Sequence, residues 1–478
     1  MQIPQNMGRI LAINAMKKSI IVLFFIVCSF SSAYAQVYNI LTYKAVADGK
    51  TNNTTAIQKA IDDCASHGGG TVWVPPGTYV TGMIKLKSNV NFHLEMGSVL
   101  QALADGTKYI SLILIQEVQN VSITGPGTLF GNGKNFLVRE AAPDRPYILF
   151  AKDSKNISIE NVHLLHSAAW ALRLYGCQGV KINGISIYSH ANFNNDGIDI
   201  DSKDVIVSNC IIDTGDDAIC LKSEDPKRPT ENITISNCIA ASNCNAIKMG
   251  TSSYGGYKNI TISNCVLRVA SESPLHHWNA DPKNYINDRI TGISGIALEI
   301  VDGGLMEQVS ISNITMTGIQ TPIFIRLGSR ANPTGSLRNV LISNITATSK
   351  SRMSSTIAAV PGYYIENVTL RDIMIKTEGG GTMDDVNRKV PEDDKGYPEN
   401  RMFGWSLPAH GLYVRHVKNL KLNNVQFTLS KPDVRPAIWL EDVHQFHGEG
   451  IQTPKSATNW LKQVNTTEVL ITNHTDIK

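Results

Sequence analysis

The chain has 478 residues, with 44 Lys and Arg against 41 Asp and Glu and a formal net charge of +3. Without the first 35 residues the counts become 41 basic and 41 acidic, a balance that excludes a polycation and argues against nucleic-acid binding. Of the eight cysteines, those beyond Cys28 are odd in number, so a complete disulfide framework is excluded.

Taken in order, Met16-Lys17-Lys18 precedes an apolar run from Ser19 to Phe30 and the small-residue site Ala33-Tyr34-Ala35. This predicts a secretory signal with an upstream extension, cleaved before Gln36. The run is short for a bilayer span and no other stretch reads as one, so no membrane insertion is expected. The mature protein is expected to be secreted or periplasmic, a monomer, and one domain over residues 36–478.

Thr55-Ala56-Ile57-Gln58-Lys59-Ala60-Ile61-Asp62-Asp63-Cys64 has apolar residues at helical spacing after a Thr-rich start, and predicts a helix. Gly68 to Tyr79 predicts a strand bounded by turn residues. A helix there would cover the open end of a sheet, which otherwise invites edge pairing.

From about residue 80 to residue 445 the chain is short β-branched segments separated by Asn, Gly, Ser and Asp. One phrase recurs: Ile157-Ser-Ile-Glu-Asn161, Ile206-Val-Ser-Asn209-Cys, Ile233-Thr-Ile-Ser-Asn237-Cys, Ile260-Thr-Ile-Ser-Asn264-Cys, Val309-Ser-Ile-Ser-Asn313, Val340-Leu-Ile-Ser-Asn344. The steps from 209 to 237 and from 237 to 264 are 28 and 27 residues. That period without intervening helices predicts an all-β fold, a right-handed parallel β-helix with an N-terminal capping helix. Cys210, Cys238 and Cys265 read as stacked interior residues behaving as small hydrophobes. The step from 264 to 313 is nearly doubled, which predicts an inserted loop carrying His276, His277 and Trp278.

Asn-x-Ser/Thr sequons such as Asn232-Ile-Thr and Asn313-Ile-Thr fall in the repeated turn, where an inward Asn is expected to bond turn backbone. Gly379 to Arg401, rich in Gly, Asp, Glu and Lys, predicts a long surface loop. Thr453 to Lys478 predicts a polar tail lying on the solenoid.

The chemistry concentrates in Asn194-Asn195-Asp196-Gly197-Ile198-Asp199 and Gly215-Asp216-Asp217-Ala218-Ile219. Matching Asp196-Gly-Ile with Asp217-Ala-Ile leaves 21 residues between equivalent positions, about one solenoid turn. Carboxylates stacked on adjacent turns repel, so at least one is expected to have a raised pKa and to hold a proton, as a general acid must. Extending the register places Trp170, Asp196, Asp217, Asn245 and Ser294 in one column. Arg173, Asp199, Cys220, Lys248 and Ala297 share a second, and Tyr175, Asp201, Lys222, Gly250, Glu299 and Arg326 a third. The plainer reading of the aspartates is turn formation, and of the lysines a solvated face.

These features together resemble glycoside hydrolase family 28, the polygalacturonase family: Asp48-Gly-Lys-Thr to Gly-Thr-Tyr79, Asn194-Asn-Asp196-Gly-Ile-Asp in place of the family's Asn-Thr-Asp, and Gly215-Asp-Asp217. The resemblance implies inverting hydrolysis of α-galacturonosyl linkages in a pectic polysaccharide or oligosaccharide, without metal or other cofactor. It implies Asp216 as general acid, with Asp196 and Asp217 activating water. Two motifs depart from the family. Its Gly-His-Gly becomes Cys244-Asn245-Ala246, and its Arg-Ile-Lys, which holds a galacturonate carboxylate, becomes Ala297-Leu298-Glu299.

The expected substrate-binding set is therefore Asn194, Asn245, Lys222, Lys248, Glu299, Arg326 and Trp170. Lys248 or Arg326 would replace the lost cations for an acidic sugar, or Glu299 would instead bind hydroxyls of a neutral one, and Trp170 would be an aromatic platform. The alternatives are cleavage of a galacturonosyl-rhamnose bond and, in another class, a non-catalytic glycan-binding β-helix. A β-helix lyase is disfavoured by the intact aspartates. The histidines lack metal-ligand spacing.

Overall fold

The computed structural model describes residues 36–137, 144–272, 292–455 and 459–477. Within the unit Tyr38–Lys478 these residues form 34 strands in one hydrogen-bonded system of parallel neighbours. The strand Ile198–Ser208 shows how a turn is built. Its first half pairs with Ile219–Ser223, its second half with Thr230–Ser236, and Ile211–Thr214 pairs with Ile239–Ser242. Each strand thus bends across two faces and the next supplies a third, and the chain returns to its own register one turn later. This is the right-handed parallel β-helix expected from the period.

The interior follows from alternation along each strand. Val180, Val205, Ile233, Ile260, Val309, Val340 and Val368 stack turn on turn in one register, all buried. Burying each such side chain contributes about 1.5–3 kcal/mol. Cys210, Cys238 and Cys265 are likewise buried and free, their thiols donating to Ser208, Ser236 and Ser263 carbonyls at 3.1, 3.2 and 3.2 Å.

The recurrent asparagines are not inward. Asn209, Asn237, Asn264, Asn313 and Asn344 have φ of 54–57° and are exposed. The repeat bends at these residues, and Asn is the side chain that best tolerates left-handed backbone after Gly. Their amides form a ladder along the outside, Asn237 to Asn209 at 3.3 Å, Asn264 to Asn237 at 3.3 Å, Asn313 to Asn264 at 2.9 Å and Asn344 to Asn313 at 3.0 Å. The bond from Asn313 to Asn264 shows that the doubled step is one turn carrying an excursion. His276, His277 and Trp278 lie outside the described residues, as do residues 1–35 with the expected signal.

The predicted helix spans Thr54–Ser66 and buries Ile57, Ala60, Ile61 and Cys64. The single strand expected from Gly68 to Tyr79 is two, Gly70–Val74 and Gly77–Thr81, broken where Pro75-Pro76 offers no N–H to a ladder. The tail expected from Thr453 is, where described, part of the coil: Leu461–Val464, Thr467–Thr472 and Thr475–Ile477 pair with strands of the preceding turn. The segment from Gly379 to Arg401 is more than a surface loop. It contains the short helix Met383–Val386 and leads into the 3-10 turn Asn400–Phe403, with Asn400 buried and donating to Thr321 Oγ1 at 2.6 Å and to the Ile293 carbonyl at 3.2 Å.

Candidate active site

Leu172, Ile198, Ile219, Ile247, Ile296 and Ile323 stack in register. Two residues before the first five stand Trp170, Asp196, Asp217, Asn245 and Ser294, the column expected from the sequence. The second column, Arg173, Asp199, Cys220, Lys248 and Ala297, is observed pair by pair. The third holds for Tyr175 with Asp201 and for Glu299 with Arg326, and is interrupted at Lys222 and Gly250 by an irregularity in the pairing.

Local sequence sets the two acidic turns. A Cβ at Gly197 would stand 2.4 Å from the Ala218 carbonyl oxygen, so only glycine lets the next turn close there. Asn194, at φ 51°, accepts from Arg145 Nη2 at 2.7 Å. Asn195 is fully buried and donates to the Ser167 carbonyl at 2.8 Å. The backbone between Asp216 and Asp217 is pinned by Ser242 Oγ and Thr214 Oγ1, which donate to the Asp216 carbonyl at 2.6 and 2.9 Å.

The aspartates differ in their surroundings. Asp217 is buried; one oxygen accepts from Asn245 N and Nδ2 at 3.0 and 2.7 Å, and the other lies 3.1 Å from Lys248 Nζ. Burial pushes its pKa up, but Lys248, Lys222 and the Asn245 bond outweigh it and hold Asp217 below the usual carboxylate range. Asp216 keeps a partly exposed edge and accepts from Asp217 N at 2.8 Å. Desolvation, then the Asp217 charge, push it up to about 6. Asp196 is buried and raised well above its ordinary value by desolvation, Asp199 and Asp216.

Lys222 Nζ lies 3.9 Å from Asp196, 3.1 Å from Asp199 and 4.7 Å from the Trp170 ring centre. Burial opposes the charge on both lysines, but Asp199 and Asp196 around Lys222 and Asp217 beside Lys248 hold them protonated. Trp170 is half-buried, stacked at 5.7 Å on Tyr147 and backed by Arg173, whose guanidinium pairs with Glu224 at 2.9 Å.

The cleft encloses about 430 Å³ and is lined by Asp196, Asp216, Asp217, Asn194, Asn245, Lys222, Lys248 and Trp170 from the expected set. Two expected residues lie elsewhere. Glu299 is buried beneath Gly250, where a Cβ would meet its Oε2 at 2.6 Å, and burial pushes its carboxyl up to about 8. Arg326 is 1% exposed. It donates to the Ala359 carbonyl at 3.1 Å and to the Glu392 and Asp393 carbonyls at 2.9 and 3.0 Å. Its charge therefore holds the 379–401 segment in place of a sugar carboxylate.

That segment delivers what sequence reasoning missed. Tyr397, 54% exposed, and Glu399 line the cleft together with Thr251, Ser252 and Cys244. Lys248 Nζ donates to Tyr397 Oη at 3.3 Å. Asp216, Asp217 and Cys244 bring donor atoms within 4.8 Å of one another, and one Asp217 oxygen is already paired with Lys248 at 3.1 Å.

A family model described as glycosyl hydrolases family 28 matches residues 64–393. A probable polygalacturonase from Vitis vinifera is 28% identical over 51% of this chain and 57% of its own. A probable rhamnogalacturonase A from Aspergillus oryzae is 29% identical over 44% of each. The chain thus spans about half the length of these relatives. In fold it is similar to the crystal structure of a hyperthermoactive exopolygalacturonase from Thermotoga maritima, with a TM-score of 0.60 and 22% identity over 72% of this chain and 87% of that one.

Proposed function

Because this chain belongs to glycosyl hydrolases family 28, we propose that it hydrolyses α-galacturonosyl linkages of pectin with inversion, as a polygalacturonase does. The observation that carries the reading is the split between two adjacent carboxyls. Asp217 is held ionised by Lys248 and Asn245, while Asp216 is raised to about 6 at the open edge of the cleft. Asp216 protonates the departing glycosidic oxygen, and its conjugate base is reprotonated from solvent. Water polarised by Asp196 with Asp217 attacks the anomeric carbon from the opposite face as the glycosidic bond breaks, and Asp217, the ionised member, takes its proton.

Inversion calls for roughly 6.5–9.5 Å between acid and base, so that water fits. Donor atoms of Asp216 and Asp217 lie within 4.8 Å of one another. We therefore place the water between Asp217, the ionised base, and Asp196, away from Asp216. Trp170 and Tyr397 offer ring faces to the sugars, and Thr251, Ser252, Asn194 and Asn245 offer hydrogen bonds.

A second reading, cleavage of a galacturonosyl-rhamnose bond, is favoured by the commitment of the cleft cations. Lys248 faces Asp217, Lys222 faces Asp199 and Arg326 is buried against carbonyls, which leaves the leaving-group side suited to a neutral sugar. Secretion after removal of residues 1–35, and action as a monomer, belong to the same proposal.

The test is chromatography of products from residues 36–478 given homogalacturonan and rhamnogalacturonan oligosaccharides in parallel, with Asp217→Asn as control. Galacturonate or oligogalacturonates from the first support the main reading, and products from the second alone support the other. Absence of any Asp217-dependent product from either would leave a glycan-binding solenoid.

A further inference from the structure

The column through Glu299 and Arg326 continues beyond the cleft, through Ala358, Arg415, Glu441 and Val464. At Arg415, Glu441 and Val464 it forms the floor of a second cavity of about 590 Å³, on the same face of the coil. From the turn of Asp217 to that of Arg415 is five steps of the stack, roughly 24 Å at the ~4.8 Å spacing of neighbouring strands.

The wall of this cavity is the segment that also walls the cleft. Arg388, Lys389 and Glu392 face the distal cavity, while Tyr397 and Glu399 face the cleft. Arg326 fastens the stretch between them at the Glu392 and Asp393 carbonyls. Arg415 cross-braces the floor, pairing with Glu392 at 3.1 Å and Glu441 at 3.3 Å.

Two cations are left over. Arg388 donates Nη2 to the Phe403 carbonyl at 2.8 Å and stacks 4.8 Å from the Trp405 ring centre, while its Nη1 has no hydrogen-bond partner. Its seat is shaped for it, since a Cβ at Gly404 would stand 1.7 Å from Nη2. Lys389 is exposed, and neither residue is in an ion pair among the described residues. Trp439 lines the same cavity half-buried, its indole N–H without an acceptor. A planar aromatic side chain beside unspent cations suits a sugar ring bearing a carboxylate.

We propose that the cavity between Arg388, Lys389 and Trp439 is a distal binding site for a uronate unit of the acidic glycan whose chain passes through the cleft. The proposal rests on the functional reading for the identity of that glycan. It makes binding depend on chain length, because one polymer engages both sites and the second contact becomes intramolecular.

The experiment is calorimetric titration of the Asp217→Asn protein with polygalacturonate, with digalacturonate and with fully methyl-esterified galacturonan, then with Arg388→Gln, Lys389→Gln or Trp439→Ala added. Losing one charge-assisted contact should weaken polygalacturonate binding about tenfold. Digalacturonate, too short to bridge the two sites, should keep its affinity for the cleft, and esterification should weaken polymer binding to a similar degree. The two charge variants sit on exposed or half-exposed side chains, and their unchanged melting would separate lost binding from lost folding. The proposal fails if all three variants bind polygalacturonate like the parent, or if esterified polymer binds as well as the acid. Binding that is lost in Arg388→Gln, in a protein whose unmutated form hydrolyses no galacturonan, would keep the site and overturn the activity.

Discussion

Lys248 Nζ stands 3.1 Å from Asp217 Oδ2 although the strand register places Lys248 beside Cys220. The lysine reaches along the column to the acid instead of out to solvent, and both partners are buried. Removing one member of such a pair leaves an uncompensated charge, at a cost of about 3–5 kcal/mol.

Lys248→Met is therefore expected to lower kcat about a hundredfold or more, by loss of the preorganised charge next to the reacting groups. A higher KM for an acidic substrate is expected as well. Stability carries the sign. In the parent, Asp217 is depressed and contributes stability that is lost as pH falls through its folded pKa. Without Lys248, only Lys222 and the Asn245 bond oppose burial and the contribution shrinks, so the stability gap should widen from acid to neutral pH. Urea melts across that range together with steady-state kinetics would check it; a gap independent of pH would show that Lys248 is not what ionises Asp217.

Asp216 gives the basic limb of the rate. It must hold a proton to act, and its pKa is pushed up to about 6, so kcat/KM should fall about tenfold per pH unit above that value. Asp216→Asn should lower activity by orders of magnitude and remove the limb from what remains. If the unmodified enzyme stays fully active well into the alkaline range, Asp216 is not the acid.

The two acidic columns were legible because alternating β-branched residues fix the register, and register fixes which side chains share a face. Asp196 and Asp217 follow from Ile198 and Ile219 without any tertiary information. The asparagines were misplaced for a physical reason. Alternation assigns inside and outside only to extended residues, and Asn237 at φ 55° rotates the chain at the corner, so its amide meets the next Asn outside. Tyr397 was not legible at all. It lies 149 residues from Lys248, in a segment without period, and what holds that segment is the buried Asn400 and the guanidinium of Arg326. Position in a column could not show that Arg326 turns away from the cleft, because that depends on which carbonyls come to meet it.

Arg326→Met tests that arrangement. Three carbonyls lose their donor, and two of them, at Glu392 and Asp393, belong to the segment carrying Tyr397. Destabilisation of about 2–3 kcal/mol is expected, with faster proteolysis within residues 379–401. KM should rise while kcat changes little, since the aspartates are untouched. Tyr397→Ala, which removes the ring alone, should reproduce the KM effect without the loss of stability. A rise in KM for Arg326→Met with the segment still resistant to protease would restore a direct contact with substrate.

Glu299 predicts the opposite pH dependence from Asp217. It is buried, its oxygens have no hydrogen-bond partner, and desolvation carries its pKa from an ordinary 4.5 to about 8. The folded state therefore binds this proton more tightly than the unfolded chain, and stability is full below the ordinary value and declines as pH rises through the interval up to about 8. Glu299→Gln has nearly the same shape and cannot ionise. Relative to the parent it should gain stability across that interval, by on the order of 1–3 kcal/mol at the alkaline end. Denaturant melts of the two proteins at a series of pH values would measure the gap. A gap of the opposite sign would mean that Glu299 is ionised in the fold and paired with Lys248, leaving Asp217 to be ionised by Asn245 and Lys222.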